Sequence, residues 1–376
     1  MIEPFCGARS YAARVLMHIA IAAIGLLLSW RMPAIGMVLA AVALISFVVE
    51  QQWCVVWLSW PACRYRSQNV CETVPAIGTA RRRIVLCAHY DSQHSGLIWT
   101  INRYLNRVSM SLPLWLKPPM TFLVALMALQ ILLSAAGALT GGIHGSTQMS
   151  AGLTFTIRIL EVLLLAIYAL VAALFIQLAF GRFVPGAVDN ASGVAAVLEL
   201  ADAWVASPPA DDVELMVVLS GCEESVLLGA AAWADRHRQE LGRLPTLFLN
   251  LDSMAFGPPR FLGAEVPAAG LPLRADARMI KLCGQIAEEL GLHNAGPHAL
   301  PGPTDGFALL ARGLRGISIV SFQDGGVLPR YHTMADTADN MDFAAAHATV
   351  EFARRLCWKM AAVLGEPTEM TKQKER

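Results

Sequence analysis

Four long apolar stretches run through this chain, and everything between them must fold around that constraint. Val15 to Trp30 and Ala34 to Val49 are nearly free of charge and are joined by Arg31-Met32-Pro33. Met120 to Leu139 is uncharged, and Leu153 to Phe180 is apolar except for Arg158, Glu161 and Gln177. A Gly/Ser/Thr loop, Thr140 to Gly152, joins the second pair. A straight spanning helix needs about 20 residues; the first two runs fall slightly short of that and read together as a tight transmembrane hairpin. Trp53, Trp57 and Trp60 follow, as an interfacial aromatic belt would. No small-residue cleavage site precedes the second run, which argues against a cleaved signal peptide. Composition agrees: 55% of the residues are hydrophobic and only 15% charged, a balance that points to membrane segments. A soluble-core origin for the second pair is the weaker reading. Arg158 and Glu161 lie one turn apart on one helix face, where pairing near a helix end makes them tolerable.

The rest of the chain has a different grammar. Residues 61–83 are polar and Arg-rich, and Arg83 to Ala88 then reads as a buried strand ending at His89-Tyr90-Asp91-Ser92. Leu97 to Pro119, with Arg103, Arg107 and Lys117 among aromatics and Leu, has an interfacial pattern. From Gly186 onward the pattern is globular. A helix follows Gly193, Val213 to Leu219 is a strand, Leu227 to Leu241 a helix, and Thr246 to Leu251 a strand. Residues 257–272 are a Pro/Gly-rich loop, Ala275 to Leu290 a helix, Gly316 to Phe322 a strand, and Asp342 to Leu364 an amphipathic closing helix. Alternation of this kind predicts an α/β fold with a sheet covered on both faces. The expected organisation is an N-terminal transmembrane hairpin over 1–60, a first part of the globular domain over 61–96, an inserted transmembrane hairpin over 97–184, the main globular part over 185–365, and a polar tail over 366–376.

Chemistry-bearing residues gather where these strands end. Asp189, in Asp-Asn-Ala-Ser-Gly, stands at the mouth of a Gly-rich turn that opens a helix. Alone this is a capping motif. Its company changes that: His89 and Asp91 upstream, and Glu223, Glu224, Asp252 and His332 downstream, each sit at the end of an apolar run or in the loop after it. Imidazole and carboxylate suit zinc, and two-metal hydrolytic sites hold their ions roughly 3.5–4 Å apart with a shared ligand. An open turn such as that of Asp189 can supply the shared carboxylate. Neighbouring residues leaving a strand diverge, so one of Glu223 and Glu224 can bind metal while the other acts as general base. Asp91 lies on the same side of an extended segment as His89 and can orient its ring, as partners of ligating histidines do. The histidines at 18, 94, 144, 237, 293 and 298 have no matching context.

Five motifs taken in order resemble the co-catalytic dizinc aminopeptidases of the aminopeptidase Y and bacterial leucyl aminopeptidase type, in metallopeptidase clan MH. They are His89-Tyr90-Asp91-Ser92, Gly186-Ala187-Val188-Asp189-Asn190-Ala191-Ser192-Gly193, Cys222-Glu223-Glu224, Asn250-Leu251-Asp252, and Tyr331-His332-Thr333 with Asp336-Thr337. Gly302 to Phe307, before Gly316-Ile317, is similar to that family's late loop and strand. The resemblance covers about residues 80–96 and 185–365. It implies a mixed sheet sandwiched by helices, a peptide substrate and two zinc ions. It further implies that Asp189 bridges the ions, that His89 and Asp252 complete one shell and Glu224 and His332 the other, that Glu223 is the base acting on a metal-activated water, and that Asp91 supports His89. This chain departs from the family's pattern in one large way: the membrane hairpin over 97–184 stands where typical members have a short loop.

Four spans would leave the N-terminus and the catalytic domain on one side. That side holds Arg9, Arg14, Arg64, Arg66, Arg81, Arg82, Arg83, Arg103, Arg107, Lys117 and Arg182; the other holds Arg31, with Arg158 near the edge. The positive-inside rule then predicts a cytoplasmic catalytic domain on a bacterial inner membrane. The eight cysteines form no C-x-x-C pair and no disulfide rhythm, as expected of reduced, mostly buried thiols. A net charge of zero gives no ground for a nucleic-acid partner. Three competing readings remain: a single-zinc enzyme like glutaminyl cyclases, which share a His-Tyr-Asp-Ser type of segment; an inactive membrane scaffold on the peptidase fold; and a transporter. The intact Asp-Asn-Ala-Ser-Gly, the retained Glu223 with all five ligand types, and the lack of an inverted repeat favour the peptidase over each in turn.

Overall fold

The computed structural model describes residues 1–108, 120–142, 148–267 and 270–364. Its sheet strands are β1 (Ile2–Gly7), β2 (Tyr65–Val74), β3 (Arg82–His89), β4 (Val213–Ser220), β5 (Thr246–Leu251), β6 (Pro259–Val266), β7 (Leu273–Arg274), β8 (His298–Pro301) and β9 (Arg315–Ser321). They lie in the order β1-β2-β4-β3-β5-β9-β6-β7, with β8 beside β6. The centre, β4-β3-β5-β9, is parallel. Antiparallel strands close both edges, β2 against β4 and β6 against β9, so the sheet is mixed.

Alternation within β3 explains the layers. Ile84, Leu86 and Ala88 face one way; Val85 and Cys87 face the other. Each is fully buried, because both faces are covered. On the first face lie α6 (Ser192–Ala206), α9 (Ala277–Glu289) and α11 (Phe343–Val363), packing Trp204, Met279, Ile286, Phe352 and Leu356 against the strands. On the second lie α7 (Leu228–Arg236) and α10 (Asp305–Ala311), with Trp233 and Phe307; the short α8 (Arg238–Leu241) follows α7. Burying each large apolar side chain in these layers is worth about 1.5–3 kcal/mol.

The apolar runs form α1 (Tyr11–Ser29), α2 (Pro33–Trp53), α4 (Thr121–Gly142) and α5 (Gln148–Ala179), preceded in the insertion by α3 (Leu97–Val108). Four of these helices are long and apolar enough to cross a membrane. They pack through Val15, Ile19, Leu26, Phe47, Met127, Leu164 and Phe175. Leu132, Leu163 and Leu170 point outward and are 67%, 54% and 63% exposed, an arrangement suited to lipid contact. The α1–α2 crossing is tight at Gly25 and Gly36: a Cβ at Gly36 would lie 2.5 Å from the Cβ of Ser29, the small-residue contact that membrane helices use in place of a hydrophobic drive.

Several expectations need correction. The polar stretch 61–83 contains the ten-residue β2, and the expected loop over 257–272 contains β6. β1 was not legible either. Arg14, counted above as a flanking loop charge, lies inside α1 and is 1% exposed, paired with Glu50 of α2. Arg14 and Glu50 thus join Arg158 and Glu161 as charges within the apolar helices. Arg158 and Glu161 do pair as expected, at 2.6 Å, and Glu161 also accepts from Ser29 Oγ. All eight cysteines are unbonded and all but Cys6 are buried. The expected tail 366–376 and most of the later part of Leu97 to Pro119 lie outside the described residues.

Candidate metal centre

Strand register assembles the site. β3 pairs in parallel with both β4 and β5, so that His89 lies opposite Ser220 and Cys87 opposite Asn250. The carboxyl ends of the three strands therefore stop at one edge of the sheet, where open α/β sheets hold their ligands. His89 ends β3, the Gly221 to Leu227 loop leaves β4, and Asp252 follows β5.

Asp189 stands between two groups of donors. Its Oδ1 is 3.2 Å from His89 Nε2, and Asp252 Oδ1 is 3.9 Å from the same nitrogen. Its Oδ2 is 3.1 Å from His332 Nε2, which is 3.2 Å from Glu224 Oε1. Donor atoms around a tetrahedral zinc with bonds of ~2.0–2.1 Å lie roughly 3.3 Å apart, close to these spacings. Two three-donor groups able to hold a metal ion result, His89-Asp189-Asp252 and Asp189-Glu224-His332, sharing Asp189. The atoms themselves test the fit. Glu224 Oε1 and His332 Nε2 are buried and have no hydrogen-bond partner although they face each other. Two lone-pair donors left unsatisfied at that distance are what a cation resolves, since a buried polar atom without a partner is costly. The imidazole and carboxylate set suits zinc, as it does several other divalent transition ions.

A second layer holds these donors still. Asp336 accepts from the backbone N–H of Val188 (2.9 Å) and Asp189 (3.2 Å). Asn190 Oδ1 accepts from Gly193 N and Ser253 N, both at 3.0 Å, while its Nδ2 donates to Leu251 O. The turn that carries Asp189 is thereby tied to the strand that carries Asp252. Asp91 accepts through Oδ1 from Glu223 N (3.0 Å) and through Oδ2 from Glu224 N (3.3 Å). Its backbone carbonyl, 3.0 Å from His89 Nδ1, orients that ring, while its carboxylate lies farther off at 3.7 Å. Gln93 Nε2 donates to Glu224 Oε2 at 2.9 Å. Tyr331 stacks on the His332 ring, and Trp99 of α3 meets that ring edge-on with centroids 4.3 Å apart.

Electrostatics follows from crowding acids in a dry place. Burial raises the Glu223 carboxyl well above the usual range; His89 opposes this and the neighbouring Glu224 adds to it. Burial acts first on Asp252 as well, pushing it up to about 7. Burial works to lower His332, but Glu224 and Asp189 overcome it and push the imidazole up to about 9. Asp189 is held low instead: burial raises it, and the facing imidazoles of His332 and His89 outweigh that. Perturbation of this strength, concentrated in one cleft, is typical of functional sites.

All seven residues singled out in the sequence, His89, Asp91, Asp189, Glu223, Glu224, Asp252 and His332, meet here. The roles of Gln93, Asn190, Trp99 and Asp336 were not foreseen. Gln93 sits two residues past Asp91, and Asp336 lies within a quoted motif, but neither carried a signal of what it holds. Asp305 was also missed as a buried acid: its Oδ2 accepts from Ser220 Oγ and Cys87 Sγ behind the ligand strands.

The Peptidase family M28 model matches residues 175–357. The matched segment, just under half of the chain, carries Asp189, Glu223, Glu224, Asp252 and His332 and leaves out His89 and Asp91; its likeness is to peptidases, which are hydrolases. No curated protein matches the chain. Among solved structures, a zinc aminopeptidase from Bacillus subtilis is similar at 16% identity and a TM-score of 0.46, over 79% of this chain and 51% of that one. An aminopeptidase from Aneurinibacillus sp. strain AM-1 is similar at 17% identity and a TM-score of 0.44, over 78% and 48%. The chain thus spans about half the length of each. A glutaminyl cyclase from Tannerella forsythia is similar at 16% identity and a TM-score of 0.45, over 77% of both chains.

Proposed function

We propose that this chain is an integral-membrane, zinc-dependent aminopeptidase that removes N-terminal residues from peptides, with a two-ion centre ligated by His89, Asp189, Glu224, Asp252 and His332. The observation that carries the reading is the division of Asp189: one carboxylate oxygen faces His89, the other faces His332, at 3.2 and 3.1 Å. Restriction to N-terminal residues rests on the order of the five motifs and their family resemblance.

Zinc, when bound, polarises the scissile carbonyl and makes a water acidic near neutral pH. The chain's own residues supply the rest. Glu223 is set at the rim of the ligand cluster, with Oε2 3.9 Å from His89 Nε2. Its carboxylate accepts a proton from the attacking water and returns it to the leaving amine, a general acid–base role worth roughly 10²–10⁴-fold. Asp91 fixes the backbone of Glu223 and Glu224, and Gln93 holds the second oxygen of Glu224. Asp336 and Asn190 keep the bridging turn closed.

Four apolar helices support the membrane assignment, and the Arg-rich side supports a cytoplasmic catalytic domain. Contact of Trp99, from the inserted segment, with His332 and Tyr331 supports apolar or membrane-associated peptides as substrates.

The test compares native protein with Glu223→Gln, both purified in detergent. Two zinc ions per native chain with release of N-terminal residues, and a Glu223→Gln variant that keeps zinc and loses turnover, is the expected result. One zinc and cyclisation of N-terminal glutamine would replace the reading with a cyclase. A native protein that holds no zinc and shows no turnover would refute it.

A further inference from the structure

Arg14 lies in the first turn of α1 with its side chain 2% exposed. It donates to four acceptors: Ser59 Oγ (3.2 Å), Glu50 Oε2 (2.8 Å), the carbonyl of Val55 (2.7 Å) and the carbonyl of Ser225 (2.8 Å). Glu50 is just as buried and is saturated by Ser59 N and Trp57 N on one oxygen and Ser59 Oγ on the other. Three of Arg14's acceptors thus belong to the membrane hairpin and the turn after it. The fourth belongs to the loop of Glu223 and Glu224.

That loop needs outside support. Cys222, Val226 and Leu227 all have positive φ, at 56°, 75° and 57°, a region costly for residues with a Cβ. Its other tethers to the N-terminal segment run to Ala8, just before α1: Ser225 Oγ donates to Ala8 O at 2.9 Å and Cys222 Sγ at 3.6 Å. Arg14 is the charged member of this set, and it is paired with the buried Glu50 carboxylate, whose other oxygen lies 3.8 Å from His18 Nε2 and accepts from Ser46 Oγ at 3.4 Å.

We propose that Arg14 is a positioning residue for the Glu223-Glu224 loop, which makes the first membrane hairpin a working part of the active site and more than an anchor. The proposal rests on the roles given above to Glu223 and Glu224. Ser225 is one residue from a metal ligand and two from the base, so a shift of its carbonyl moves both.

The experiment uses the full chain in detergent. Arg14→Met combined with Glu50→Met removes both charges and keeps both apolar stems, which avoids stranding one buried charge. The control is Arg158→Met with Glu161→Met, a second helix-borne pair that touches no catalytic segment. Zinc affinity is read by competition with a chromophoric chelator, and kcat and KM are read on an amino-acid anilide. Loss of such an outer support costs roughly 10–100-fold in metal affinity or activity. The expected result is a fall of that size in kcat and in zinc affinity for the Arg14/Glu50 variant, with KM little changed and the control near native. Arg14→Lys should fall between, because three donors cannot serve four acceptors. Native kcat and zinc affinity in the Arg14/Glu50 variant, or equal losses in the control, overturn the proposal. If the double variant does not fold, Arg14→Lys decides: intermediate loss supports the role and native values overturn it. If the native protein binds zinc but releases no residue, the aminopeptidase reading fails, while the zinc comparison still decides the role of Arg14.

Discussion

Replacing Asp336 with Ala should loosen both halves of the metal centre without touching a ligand. Asp336 is 1% exposed, and its two oxygens hold the N–H groups of Val188 and Asp189. Asp336→Ala leaves both donors buried and unpaired, at about 1–3 kcal/mol each, or roughly 2–6 kcal/mol for the pair. Part of this is recovered if the turn relaxes or water enters. If about 1.4–2.8 kcal/mol falls on the turn in its ligating shape, zinc binding weakens about 10- to 100-fold. Asp189 serves both donor groups, so both binding steps should weaken together. Asp336→Asn keeps one acceptor and should lose less. Competition against a chromophoric chelator reads both steps. Two unchanged binding constants in Asp336→Ala, or a loss confined to one ion, would refute the claim that Asp336 acts through the bridging turn.

Other outcomes follow from the same geometry. In metal-depleted protein, Asp252 is raised to about 7 and His332 to about 9, so the folded form binds more protons than the unfolded chain above the ordinary values of 3.8 and 6.5. Stability from Asp252 is present below its unfolded value and lost through about pH 7; that from His332 is lost through about pH 9. The unfolding temperature of chelator-treated protein should therefore fall as pH rises from 6 to 9, whereas zinc-loaded protein, its ligands already deprotonated, should show a flatter profile; a rise in the chelator-treated sample would contradict the assignment. Gly193→Ala places a Cβ 2.2 Å from Asn190 Oδ1 and 2.5 Å from the Leu251 carbonyl, so circular dichroism and zinc titration should show lower thermal stability and weakened metal binding together.

The site was legible because its chemistry is short in sequence. His89, Glu224 and Asp252 sit at or just past the ends of β3, β4 and β5, where an acid or imidazole stands out against the apolar run, while Asp189 in its Gly-rich turn and His332 in the loop after β9 stand out by motif. The central strands were legible for the same reason: buried on both faces, they are apolar throughout. The edge strands were not. β2 runs Tyr65 to Val74 with mostly exposed side chains, and what makes it a strand is its pairing with β1 and with β4, more than 140 residues later. No local period carries that information. Arg14 failed for a related reason. An arginine beside an apolar run normally marks the membrane edge, and its partners Glu50, Ser59 and Ser225 are brought to it only by the fold. Asp336 and Gln93 hold backbone and side-chain atoms of residues far away in sequence, so their roles exist only once the chain has closed.

The apolar helical excursion between β3 and α6 leaves and returns through one narrow gate. Ser95 N donates to the carbonyl of Arg182 at 2.8 Å, Val184 N donates to that of Gln93 at 2.9 Å, and His94 bridges to Phe183. To the sheet, everything from Gly96 to Gly181 is therefore a loop whose two ends already touch. Closing a longer loop costs only slowly more entropy, so the length of the excursion can change at the gate while the five donors keep their places around the sheet. The excursion is thus joined to the sheet at a single place, apart from the α1–α2 hairpin, which is joined separately after β1.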